Sequence, residues 1–232
     1  MITCYQDFLD ELFKVGFSMG GGNDEGIVSI VSWSWNEAPP YATPVRWHTG
    51  DWETDPWEWR MRVLEERNDI AYSKLFFKKS GYITAEWLAY FLAARRKGQD
   101  FEEAYLDGTV SHEAKQIYDV LAEHGAVPLH TLKALSELNG KEHKSRFDSA
   151  LTELQMRMFI TMCARKQKQS QSGEEYGWFS TVFCTEEQFF PHSVFEKAAS
   201  LQPEEAADAI RKQIMRFNPQ ANAKKMEKFI YG

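Results

Sequence analysis

The stretch that most limits how this chain can fold runs from Ser111 to Phe183. Ser111 stands where a helix N-cap belongs, ahead of Ala114, Ile117, Tyr118 and Leu121 on one face, and Gly125 follows as a stop. Pro128 opens a second helix through Leu129, Leu132 and Leu135, which should end near Asn139-Gly140. A third helix is predicted over residues 141–158, with Phe147, Leu151, Leu154 and Met158 in helical register. Residues 159–163 and 178–183 then read as two β strands joined by a polar loop, residues 165–177. Three helices followed by a hairpin, in that order and at those lengths, make a winged helix.

The rest of the chain is read around that block. Residues 5–15 place Phe8, Leu9, Leu12 and Phe13 at helical spacing, and Gly16 stops the helix. Gly20-Gly21-Gly22 is a flexible turn without the lysine or spacing of a phosphate loop. Ile27, Val28, Ile30 and Val31 follow a helical pattern, although their β-branching also permits a strand. Asp55-Pro56-Trp57-Glu58 starts a helix that should run to about Arg67, and residues 75–83 read as a short hairpin. Thr84 caps a further helix, Asp100 and Glu103 form a capping box, and Pro203 starts a late helix ahead of a last turn over residues 224–230. The expected fold is α+β and mostly helical, with the winged helix in the second half packed on a Trp-rich α+β amino-terminal region. Residues 1–109, 110–190 and 191–232 are the expected divisions.

Composition narrows the function classes. With 232 residues and 14% aromatics, the chain can bury a sizeable core. A net charge of −7 gives no global attraction to nucleic acid or an anionic membrane, so any DNA contact needs a local basic face. Cys4, Cys163 and Cys184 form no C-x-x-C and read as reduced, partly buried thiols. No secretory leader and no long apolar run is seen, which points to a cytoplasmic protein that does not span a membrane.

Residues 46–62 hold half of the eight tryptophans, interleaved with acids, arginines and a histidine. Such a stretch is either a packed corner or the wall of a pocket. Asp55 and Glu58 have a capping role, and Trp57 and Trp59 read as core. His48, Asp51 and Glu53 remain as catalytic candidates, with Arg46, Trp47, Trp52 and Arg60 as pocket residues. The histidines show no ligand spacing, so neither a metal nor another cofactor is expected.

A winged helix commonly offers its third helix to the DNA major groove and its wing to the backbone. The outward and wing residues suited to that are Lys141, Lys144, Ser145, Arg165, Lys166 and Lys168. Between residues 133 and 168, eight cations stand against four carboxylates, a local +4 on a chain that is −7. Contacts to about four to six phosphates would give a log–log salt slope of roughly −4 to −5.

Asp55-Pro56-Trp57-Glu58-Trp59-Arg60, the run Ala71-Tyr72-Ser73-Lys74-Leu75-Phe76-Phe77, and Arg146-Phe147 with Leu151-Thr152-Glu153-Leu154-Gln155 together resemble the AlkZ-related group of the AlkZ/YcaQ winged-helix proteins. The resemblance runs from Phe8 to about Glu187. It implies tandem winged-helix architecture and kinship to DNA glycosylases that excise alkylated or crosslinked bases. The family's Gln-x-Gln or Gln-x-Asp motif occurs here only as Gln167-Lys168-Gln169 and Gln169-Ser170-Gln171, in the polar wing, where no flipped base would be enclosed. Fold and binding to double-stranded DNA carry over, and the catalytic residues do not. Two alternatives to a non-catalytic DNA-binding protein follow from the residues. One is a glycosylase working at His48 to Glu53, and the other is a small-molecule or protein-binding module that uses the tryptophan wall.

Overall fold

The computed structural model describes residues 1–32, 39, 41–169 and 175–232. Contacts divide the chain into two compact units, residues 1–98 with 192–232, and residues 99–191. The architecture is mixed, with many helices and, among the described residues, two small antiparallel sheets.

In the first unit, α1 (Tyr5–Val15) buries Tyr5, Phe8, Leu9, Leu12 and Val15. Gly16 ends it in a left-handed conformation at φ 94°, where an added Cβ would lie 2.1 Å from the Trp87 indole. The chain then forms β1 (Phe17–Met19), too short for its period to be read from sequence. Residues 27–31 are not helical. Met19 N–H donates to Val28 C=O (2.9 Å) and Ile30 N–H to Ser18 Oγ (2.9 Å), so the β1 edge satisfies this segment's backbone and no internal helix forms.

Helix α2 (Pro56–Glu66), β2 (Ile70–Phe76), β3 (Lys79–Thr84) and α3 (Ala85–Arg96) follow. The strands pair in the order β1-β3-β2, with Ile83 opposite both Phe17 and Ala71. Helix α2 buries Pro56, Trp59, Met61, Val63 and Leu64, while Trp57 remains 37% exposed. Trp57 is therefore not core: its indole lies on the outer side of the first turn, under an arginine.

The second unit begins with α4 (Phe101–Leu106), started by the Asp100–Glu103 capping box, and α5 (His112–His124), capped by Ser111. A two-residue strand, β4 (Val127–Pro128), leads into α6 (Leu129–Leu135), and then α7 (Lys144–Met156). Two of these ends differ from expectation. Helix α6 stops at Leu135 because Glu137 turns left-handed (φ 58°) and Leu138 N–H reaches back to Lys133 C=O. Helix α7 starts at Lys144, leaving Lys141 in the preceding turn.

Strands β5 (Ile160–Gln169) and β6 (Glu175–Thr185) form a long hairpin, with order β4-β6-β5. Arg165 and Lys166 thus sit in paired strand and not in a loop, because cross-strand bonding continues to Gln169↔Glu175. Only Phe183 and Val182 pair with β4, so the outer hairpin has two strands. The core of this unit joins Ile117, Leu121, Leu132, Phe147, Leu154, Ile160 and Phe183. The chain leaves through α8 (Glu186–Phe189), on a Thr185–Gln188 capping box.

Helices α9 (His192–Ser200), α10 (Pro203–Phe217) and α11 (Ala223–Tyr231) belong with the amino-terminal residues. Phe229 stacks on Phe76 at 3.8 Å, and the half-buried Arg95 donates from its guanidinium to the Leu75, Phe229 and Ile230 carbonyls. Burial pushes Arg95 down to about 9. Among the described residues, no helix is long and apolar enough to cross a membrane.

Candidate nucleic-acid interface and the tryptophan loop

The tryptophan loop is built around one carboxylate. Asp55 is fully buried ahead of α2, and it accepts hydrogen bonds from four backbone N–H groups. These are His48 (3.1 Å), Thr49 (2.7 Å), Gly50 (2.9 Å) and Trp57 (2.8 Å). One side chain therefore caps the helix and folds residues 48–50 over its amino end. It also holds His48 in the left-handed region, at φ 62°.

The catalytic candidates are placed as follows. Asp51 is exposed, and its Oδ1 accepts from Thr54 Oγ1 (2.9 Å), Thr54 N–H (2.8 Å) and Glu53 N–H (2.9 Å). The Thr54 hydroxyl first, and then the two backbone bonds, hold its pKa below the usual carboxylate value. Glu53 is exposed and accepts from Arg62 Nη1 at 2.8 Å, while its carbonyl takes Tyr5 N–H and Trp59 Nε1. His48 is exposed, with its ring 4.7 Å from that of Trp57. The three share one loop, but the two carboxylates are already engaged in shaping it.

The pocket candidates lie around the same loop. Arg46 lies 3.4 Å over the Tyr41 ring and donates to the carbonyls of Thr43 and Val45. Arg60 lies flat on Trp57 at 3.2 Å, fixed by a bond from its Nε to Trp57 C=O. Trp47 is half-buried against Gly21, where a Cβ would sit 2.6 Å from the indole. The glycine run thus permits a close approach there and is more than a turn. Trp52 remains 38% exposed. Arg62 escaped the sequence reading, yet it links Glu53, Glu66 and the Trp52 carbonyl while covering the Tyr5 ring at 3.8 Å. Its signal was available as the i, i+4 pair with Glu66.

In the second unit, the cations fall into two groups. Lys133 pairs with Asp148 (3.7 Å), Arg146 with Glu113 (3.3 Å) and Arg157 with Glu153 (3.7 Å). Lys141, Lys144 and Lys166 are exposed and have no carboxylate partner among the described residues. Ser145 is exposed beside Lys144 at the start of α7. Arg165 lies over the Phe179 ring at 4.8 Å, and Phe179 is 57% exposed on the two-stranded part of the hairpin. Phe179 was missed because it reads as one more apolar strand residue. The backbone of Lys168 pairs with Tyr176, while its side chain, like residues 170–174, lies outside what the structure describes. Both Gln-x-Gln runs fall in or beside that region.

Among the described residues no group of three or more His, Cys, Asp and Glu side chains is gathered to hold a metal ion. The solved structures include a similar chain, a Streptomyces sahachiroi DNA glycosylase AlkZ, at 13% identity and a TM-score of 0.39. The match covers 76% of this chain and 50% of that one, so the chain spans about half the length of that glycosylase. No curated protein matches the sequence. A family model described as AlkZ related matches residues 2–231, nearly the whole sequence, and the chain belongs to that AlkZ-related family.

Proposed function

We propose that residues 110–190 form a winged helix that binds double-stranded DNA. Lys141, Lys144 and Ser145 contact it from the start of α7, and Arg165, Lys166 and Lys168 from the hairpin. The observation that carries this reading is the set of exposed lysines without carboxylate partners at those two places, in a unit whose other cations are mostly paired. Family membership supports a role on DNA.

The two groups lie on consecutive elements, α7 and β5. Met158, at φ 62°, ends α7 with Phe159 N–H bonded back to Leu154 C=O, which turns the chain sharply into β5.

Titration of a labelled duplex at several salt concentrations tests the reading. Binding should weaken with a log–log slope of about −4 to −5. No binding at low salt, or a flat slope, would overturn it.

A second reading places base excision at the tryptophan loop. It is favoured by His48, held in a left-handed conformation with its imidazole exposed beside Trp57. Abasic sites should then appear in alkylated duplex incubated with the protein. Undiminished activity in Asp51→Asn and Glu53→Gln would remove those two carboxylates from the chemistry.

A further inference from the structure

The turn between α6 and α7 holds a dipeptide that neither reading of the function uses. Of the six asparagines in the chain, Asn139 alone is followed by glycine. Asn139 is exposed and lies in neither helix nor strand, and Gly140 follows it at a bend. Among the described residues, neither the Asn139 carboxamide nor the Gly140 N–H has a hydrogen-bond partner. Without a Cβ, residue 140 also leaves its backbone free to rotate and its nitrogen unshielded by a side chain of its own.

Comparable positions are held in place. In the one Asp-Gly pair, Asp107 Oδ2 accepts from Gln99 Nε2 (2.6 Å) and Gly108 N–H donates to Tyr105 C=O (2.9 Å). Asn218 gives its carboxamide to the Gly26 and Ile27 carbonyls, and the Pro219 nitrogen after it carries no proton. Asn222 caps α11 through Lys225 N–H.

We propose that Asn139-Gly140 is a site of spontaneous deamidation, whose product lowers the attraction of the neighbouring lysines for DNA. The Gly140 nitrogen loses its proton to solvent base and attacks Asn139 Cγ. The N–Cγ bond forms, the Cγ–Nδ2 bond breaks, and Nδ2 takes up a proton and leaves as ammonia. Water then opens the five-membered imide. Cleavage of the N–Cγ bond gives aspartate, and cleavage of the original peptide bond gives isoaspartate. One water is consumed and one ammonia released, with no change of oxidation state. Either product sets a carboxylate two residues before the exposed Lys141, in the turn that enters α7. The effect on DNA rests on the winged-helix reading, whereas the chemistry does not.

The full chain is incubated for weeks in mildly alkaline buffer, folded and in urea, and peptide maps and released ammonia are followed. In the folded chain the peptide holding Asn139 should exchange an amide for an acid, ahead of the exposed Asn68, and should become a substrate for isoaspartyl methylation. Asn139→Gln should abolish the change. Gly140→Ala, whose methyl group meets the flexible end of Glu142, should slow it. Conversion in urea with Asn139 intact in the folded chain would overturn the proposal, as would earlier conversion at Asn68.

Fresh and converted chains, separated by ion exchange, are then titrated with labelled duplex. The converted chain and a fresh Asn139→Asp variant should both bind more weakly, with the magnitude of the salt slope reduced by about 1. Equal binding by fresh and converted chains would overturn the effect on DNA. Fresh chain that binds no duplex would instead fail the winged-helix reading, and the peptide maps would still decide the chemistry.

Discussion

Two charged regions of this molecule differ in what their charges do. In the loop of residues 46–55, Asp55 gathers four backbone N–H groups, Asp51 closes a turn, and Glu53 holds Arg62. Its carboxylates are part of the scaffold. In the second unit, Lys141, Lys144 and Lys166 are exposed beside a skeleton whose other charges are mostly paired. Removing a scaffold charge leaves a structure with unsatisfied donors, whereas removing a free surface cation leaves the structure intact and changes only what it attracts. A dense cluster of reactive residue types is therefore a weaker sign of function than a sparse set of charges without internal partners.

That contrast can be broken experimentally. The largest effect should come from Asp55→Ala, which strips the acceptor from four backbone N–H groups at a buried helix start. A loss of about 3 kcal/mol in urea unfolding is expected. A loss well under 1 kcal/mol would mean that Asp55 does not organise the loop. Next, replacing Lys141, Lys144 and Lys166 together by Ala should leave the urea midpoint in place and reduce the magnitude of the salt slope of DNA binding by about 2 to 3. An unchanged slope would move the interface elsewhere.

A smaller change is expected from Trp57→Ala, which removes the surface under Arg60 and beside His48. About 1 kcal/mol should be lost. The smallest concerns Asp51. Its folded pKa is depressed, so its contribution is present above the usual carboxylate value of about 3.9 and is lost as pH falls through the lower folded value. Asp51→Asn should flatten that part of the acid limb in pH-dependent unfolding. An acid limb identical to the parent's would show that the Thr54 contacts do not persist in solution.

Much of the framework was legible in local signals. The Asp100–Glu103 box, the Ser111 cap, the Asp55-Pro56 helix start and the Pro203 helix all appear where their chemistry places them. Errors came where a partner distant in sequence decided the outcome. Residues 27–31 carry a helical pattern, but β1 offers their backbone hydrogen bonds, so they lie alongside it. The hairpin strands run past their apolar cores because cross-strand bonding continues through polar residues. Trp57 and Trp59 are two positions apart on one helix. The Trp59 indole is buried, with its Nε1 on the Glu53 carbonyl, and that of Trp57 lies outward under Arg60.

What the sequence by itself determined is the order of elements, most of their caps and the apolar faces, because these depend on side chains within a turn or two of one another. The acids, arginines and tryptophans of residues 46–62 were visible too, but not their roles. Tertiary structure decided those: Glu53 receives the Tyr5 N–H, Gly21 admits the Trp47 ring, and Asp55 draws the loop back over its own helix. A charge is scaffold or free according to which groups the folded chain brings within hydrogen-bonding distance, and that proximity is set by the packing of elements far apart in sequence.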